Sequence, residues 1–302
     1  MKRIIAYASS AVMLLSSCGS SDEGFKKIED IESTVDNDST ELVVNTMGVQ
    51  EIIKAIPSPL EMTSSIKASG AEFSKDLLNN TDNADNYSTS YKKALNLGVY
   101  GADLGYINIY EKTRSSVNYL NSIKKLANDL KVGQFFEFET IKRLANTTQD
   151  LDSIMFVSTS GFEKMDNYLN EKKRSNLSIL ILAGGWIEAL YIATQVADSR
   201  QESNADLIDR IGEQKIVLED LKILLSMYEN APNFNTLIKD ITVLQEAYKN
   251  VSIEYIEGES ETKEVDGALM IVSTTESKVN ITKQDVRQIT DVVADLRETI
   301  IK

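Results

Sequence analysis

From about residue 48 to residue 251, apolar residues recur at spacings of three and four, the period of helices that bury one face. Ser58-Pro59-Leu60-Glu61 opens the first helix, with serine as N-cap, proline at the first helical position and glutamate at the third. Gly70 suits its end. Residues 79–90, rich in Asn, Asp, Ser and Thr, read as a loop leading into the next cap. A long helix is predicted over 88–112 and shorter ones over 116–131, around 135–144 and over 151–169. Residues 177–196 carry a single charge, Glu188, and are apolar all round. Over 203–228, Leu207, Ile211, Gln214, Leu218, Leu221, Leu225 and Tyr228 alternate by four and three, as in long antiparallel packing. Ala231-Pro232-Asn233 turns the chain, and Asn235 is the expected cap of a helix carrying Leu237, Ile241, Leu244, Tyr248 and Val251.

At Val251 the period changes to two. Val251, Ile253 and Tyr255 predict a half-buried strand, 258–267 a charged loop, 268–274 a second strand and 278–281 an extension of the sheet. Thr282-Lys283-Gln284-Asp285 resembles a capping box before a closing helix with Val286, Ile289, Val293, Leu296 and Ile300. The expected fold is mainly α: a bundle of about seven or eight helices with a small C-terminal β-hairpin plus helix. The chain divides into 1–17, 18–47, a bundle over 48–251 and a hairpin and helix over 252–302 packed on it.

Small residues mark two of the helices. Ala94, Gly98, Ala102 and Gly105 share one side of the first, and Gly184-Gly185 interrupts the second. Glycine within a helix costs about 1 kcal/mol relative to alanine, so several together imply close approach of another backbone. A shift of 85 residues superposes Leu95, Gly98, Asp103, Tyr106 and Ile107 on Leu180, Ala183, Glu188, Tyr191 and Ile192, the pattern a duplicated helical hairpin would leave. Crossing at the glycines would bring Asp103 and Glu188 together. Two carboxyls in an apolar setting separate their pKa values or hold a cation between them. With Tyr106, Tyr191 and Trp186 they form the candidate ligand- or ion-binding site; pairing with Lys or Arg is the plainer account of the same acids.

Composition narrows the chemistry. The formal charge of −14 repels phosphate backbones and argues against nucleic acid as a partner. There is no histidine and a single cysteine, Cys18, so imidazole-based triads and zinc sites that need imidazole are excluded. No motif calls for a cofactor or a metal, and no catalytic residue is assigned.

The N-terminus supplies a location. Lys2 and Arg3 precede an apolar run from Ile4 to Leu15, too short to span a bilayer as a helix. Leu15-Ser16-Ser17-Cys18 resembles a lipobox, and the chain resembles the uncharacterised outer-membrane lipoproteins of Bacteroidota in its signal peptide, acidic tether and helical plan. The resemblance implies cleavage before Cys18 and lipid on Cys18. Gly19 directly after the cysteine favours outer-membrane sorting, and Ser21-Asp22-Glu23 resembles the short acidic signal for surface export. Residues 19–40 are too polar to bury a core and read as a flexible tether. A lipid anchor makes a second one unnecessary, so residues 177–196 are expected inside the bundle. The expected partners are the membrane, through Cys18, and an unidentified protein. Three function classes follow: a binding or scaffolding body on a lipid tether; a solute- or ion-binding lipoprotein with its pocket between the glycine-bearing helices; and, behind both, a carboxylate-dependent hydrolase.

Overall fold

A computed structural model describes residues 59–147, 151–199, 204–256, 260–265, 268–273 and 276–302, together with 52, 53 and 56. Cys18, the expected signal and tether, and Ser58 lie outside the described residues, as do residues 257–259 and 266–267 of the expected charged loop. The described residues fall into two units, one of those within 50–254 and 278–302, the other of those within 255–277.

The first unit is a helical bundle. Its helices are α1 (Pro59–Ala68), α2 (Ser90–Ile109), α3 (Thr113–Asp129), α4 (Phe138–Thr147), α5 (Leu151–Glu171), α6 (Ser175–Ser199), α7 (Ala205–Ser226), α8 (Phe234–Ala247) and α9 (Lys283–Ile301). The mainly α bundle expected from the spacing is therefore present, with nine α-helices among the described residues.

Caps fix several starts. Thr89 accepts a hydrogen bond from the Lys92 N–H at the head of α2, and Asn204 from the Leu207 N–H at the head of α7. Thr282 and Asp285 form a complete capping box on α9. The start of α8 differs from expectation. Asn233, not Asn235, is the N-cap residue; it takes the left-handed conformation at φ 71°, which asparagine tolerates. Phe234 thereby enters the core at 1% exposure.

The chain ends of α2, α3 and α5 are unusual. Each turns through a left-handed residue that is not glycine: Glu111 (φ 58°), Lys131 (φ 63°) and Lys173 (φ 55°). After α3 the Lys131 N–H bonds to the Asn128 carbonyl and the Val132 N–H to the Ala127 carbonyl, a Schellman turn. Gly133, a residue type that often stops a helix, begins a short 3-10 turn here.

Helices α2 and α6 form the centre. A Cβ on Gly98 would land on the carbonyl oxygen of Ile181, and one on Gly184 on the carbonyl oxygen of Leu95. The two backbones therefore touch, as the glycines suggested. In α6 the apolar window has a mean hydropathy of 1.7, enough for a membrane span, yet 94% of it is buried inside the fold. Helix α9 packs on α6 and α8, presenting Val286, Ile289, Val293, Leu296 and Ile300 inward.

Strand β1 (Ser252–Ile256) pairs with β4 (Glu276–Asn280), and in the second unit β2 (Ser260–Val265) pairs antiparallel with β3 (Ala268–Ser273), from Ser260 opposite Ser273 to Val265 opposite Ala268. This corrects the expected pairing of the first strand with 268–274. Residues 260–265 read as loop because they are charged, but charge does not prevent backbone pairing and is favoured on a strand edge. Nor is β1 half-buried throughout: Tyr255 is 62% and Ile256 51% exposed.

Candidate functional site

Asp103 on α2 and Glu188 on α6 are both fully buried, at 0% exposure. The helices that carry them are pressed together at Gly98 and Gly184, which brings the two carboxyls within hydrogen-bonding reach of each other. Arg297, on the closing helix, completes the group. Its Nε donates to Glu188 Oε2 at 2.6 Å and its Nη2 to Glu188 Oε1 at 2.7 Å. This is the bidentate fork that makes arginine–carboxylate pairs specific. Nη2 also donates to the Leu77 carbonyl at 3.1 Å, and the guanidinium lies 4.2 Å from the centre of the Tyr191 ring.

The proton count of this cluster follows from its donors. Asp103 Oδ2 accepts from the Asn79 N–H at 3.2 Å. Asp103 Oδ1 is buried, and no donor other than a shared proton reaches it. Its neighbour is the Glu188 carboxyl, which Arg297 holds on both oxygens. Two carboxyl groups can bond only if one keeps its proton. Burial drives the Asp103 pKa well above the usual carboxylate range, and the charge of Glu188 and their hydrogen bond drive it the same way; Arg297 and the Asn79 N–H only partly oppose them. Asp103 is thus the neutral acid, Glu188 the carboxylate and Arg297 its counter-ion. Burial pulls the Arg297 pKa down, but the hydrogen bonds and charge of Glu188 outweigh that and raise it. The cluster carries no net charge, and Arg297 occupies the place a bound cation would take.

The wall around it comes from residues 75–87, which run through two 3-10 turns, Lys75–Leu77 and Thr81–Asp85. Asn79 is 1% exposed and donates from Nδ2 to the Tyr87 hydroxyl at 3.0 Å. The Tyr119 hydroxyl donates to the Asn79 carbonyl at 2.9 Å, and the Tyr100 hydroxyl to the Asn80 carbonyl at 2.7 Å. Asn96 on α2 donates to the Ile300 carbonyl at 2.9 Å, and Tyr87 to the Ile301 carbonyl at 3.1 Å. The end of α9 is therefore tied to α6 through Arg297, and to α2 and the 75–87 segment through its own carbonyls.

Of the five residues singled out in the sequence, Asp103, Glu188 and Tyr191 meet. Tyr106 faces elsewhere: its ring stacks on Phe73 at 5.3 Å and its hydroxyl accepts from the Ser74 N–H at 3.1 Å. Trp186 points to α7, donating from Nε1 to Gln214 Oε1 at 2.9 Å. There it borders a cavity of about 170 Å³ between α1, α6 and α7, walled by Met62, Leu190 and Val217 and edged by Glu61, Arg210 and Glu213. Arg297 and Asn79 are the functional partners that sequence reasoning missed. The signal for Arg297 was its place among Val293, Leu296 and Ile300, where an arginine on a core stripe demands a buried acid.

Among the described residues no group of three or more acids, histidines or cysteines could hold a metal ion. Comparison with protein-family models, curated proteins and solved structures found no match to the chain.

Proposed function

We propose that this is a lipid-anchored protein of the cell envelope whose helical body serves as a binding or scaffolding module. One observation carries the reading. The acids that offered the best prospect of chemistry are fully buried and already answered by Arg297, so they hold helices together and face no solvent. The lipobox-like Leu15-Ser16-Ser17-Cys18 supports the anchor, and outward-facing Ile223 and Val243, 52% and 55% exposed, support a surface for a partner. Cys18→Ala tests the anchor: labelled palmitate should no longer enter the protein, and persistent labelling would defeat the assignment. A photocrosslinking residue at position 223 or 243 in intact cells tests the module. A discrete adduct absent at an exposed control such as Lys302 is expected; equal or no capture at all positions would count against it.

A second reading, solute binding, is favoured by the cavity beside Trp186. It lies between α1, α6 and α7, one helix face away from the sealed Asp103–Glu188 pair.

A further inference from the structure

The two strands of the β2–β3 ribbon are unlike each other. Strand β3, Ala268-Leu269-Met270-Ile271-Val272-Ser273, has no charge and no proline, and its first five residues are apolar in succession. Strand β2, Ser260-Glu261-Thr262-Lys263-Glu264-Val265, carries three charges in six residues. Among the described residues β3 pairs with β2 alone, and no strand lies along its other edge. Strands at an open edge ordinarily carry charge or proline, which keeps further strands from adding. The ribbon therefore has one guarded edge, β2, and one unguarded edge, β3. A six-residue run of high β-propensity without charge or proline is a template for another strand.

Charge decides which strand fits. Antiparallel pairing of β2 with a second copy of itself, centred on a two-fold axis, would set Glu261 opposite Glu264 of that copy, twice over by symmetry. Like charges directly opposite each other are destabilising. The same operation on β3 sets Ala268 opposite Ser273, Leu269 opposite Val272 and Met270 opposite Ile271, with no charge anywhere in the ladder. Each copy offers the same open edge, so two copies satisfy both at once, as an isologous contact does. The resulting sheet has a charged β2 at each outer edge, which stops growth at two copies. It also relieves the weakness of a two-stranded ribbon, which is marginal in water.

We propose that β3 is a dimerisation edge, through which two copies of this chain pair antiparallel along Ala268–Ser273 with the β2 strands outermost.

Sedimentation equilibrium of the purified full-length protein, in a detergent matched to the density of the buffer, tests the proposal. A concentration-dependent equilibrium between monomer and dimer is expected. Ile271→Lys puts a charge at the middle of β3 in both copies and should weaken the dimer by about tenfold or more. Val272→Lys, one position on, carries the same expectation. Thr262→Lys puts the same charge on β2, at the position opposite Ile271, and should leave the dimer unchanged because that edge is outermost. Each variant is compared at an unchanged thermal melt. A protein that stays monomeric at every concentration would overturn the proposal. So would a dimer that both β3 variants leave intact, or one that Thr262→Lys weakens as much as they do.

Discussion

Arg297 grips both oxygens of Glu188 from 109 residues away, at 2.6 and 2.7 Å, with the guanidinium lying over Tyr191. The contact fastens α9 to α6, one of the two helices at the centre of the bundle. Its energetic meaning lies less in net stabilisation than in dependence. Desolvating two charges roughly offsets their attraction, but removing one strands the other.

Arg297→Met should therefore destabilise the bundle by about 3–5 kcal/mol, and Glu188→Gln by a comparable amount, because each leaves a buried charge unpaired. Urea unfolding followed by circular dichroism measures both. Combining Arg297→Met with Glu188→Met should recover much of the loss. Additive losses in the double variant would mean that the two residues act independently.

The glycines make a sharp contrast. Gly184→Ala places a Cβ on the Leu95 carbonyl and should cost about 1–3 kcal/mol as the helices are forced apart. At Gly101, in the same central helix pair, a Cβ meets nothing within 4 Å, and the residue is exposed. Gly101→Ala should stabilise by about 0.5–1 kcal/mol through helix propensity alone. Equal effects at the two sites would contradict the close crossing of α2 and α6.

Lys131 closes α3 in a left-handed conformation that costs an L-residue about 1–2 kcal/mol. Lys131→Gly removes that cost, less the extra freedom glycine gains in the unfolded chain. A net stabilisation of about 0.5–1 kcal/mol is expected from the urea midpoint. Destabilisation would mean that the lysine side chain does more than occupy a turn.

The helical period identified the bundle, and the glycines identified the pair that touches, because both leave regular spacings. Thr282 and Asp285 were legible for a similar reason: a cap is local chemistry at fixed offsets. Residues 75–87 were not. Their Asn, Asp and Thr content suggests solvent, yet Asn79 is buried as a hub that tyrosines from α3 and the preceding loop reach across 40 and 8 positions. Such satisfaction is long-range, and a sequence shows only the polar groups, not their partners. Arg297 was overlooked because a single charge beside a helix stripe is ordinarily solvated. Tyr106 was assigned to the wrong neighbourhood because its side of α2 meets Phe73, a contact no spacing records.

The shared proton sets a pH dependence. Asp103 has a folded-state pKa raised above its unfolded value, so the folded state binds more protons between the two. Stability is greatest below the unfolded value, near pH 4, and falls as pH rises toward the folded one. Asp103→Asn keeps a neutral group able to donate to Glu188 but cannot titrate. Relative to this variant, the natural protein should lose about 1.4 kcal/mol per pH unit above pH 4 until Asp103 ionises. A difference independent of pH across that range would contradict the assignment.

The most direct measurement is the carbon-13 chemical shift of the Asp103 side-chain carboxyl at pH 7, assigned by its loss in Asp103→Asn. The protonated-acid value is predicted, with Glu188 ionised against Arg297. A carboxylate value for Asp103 would contradict the shared proton and the neutral cluster built on it.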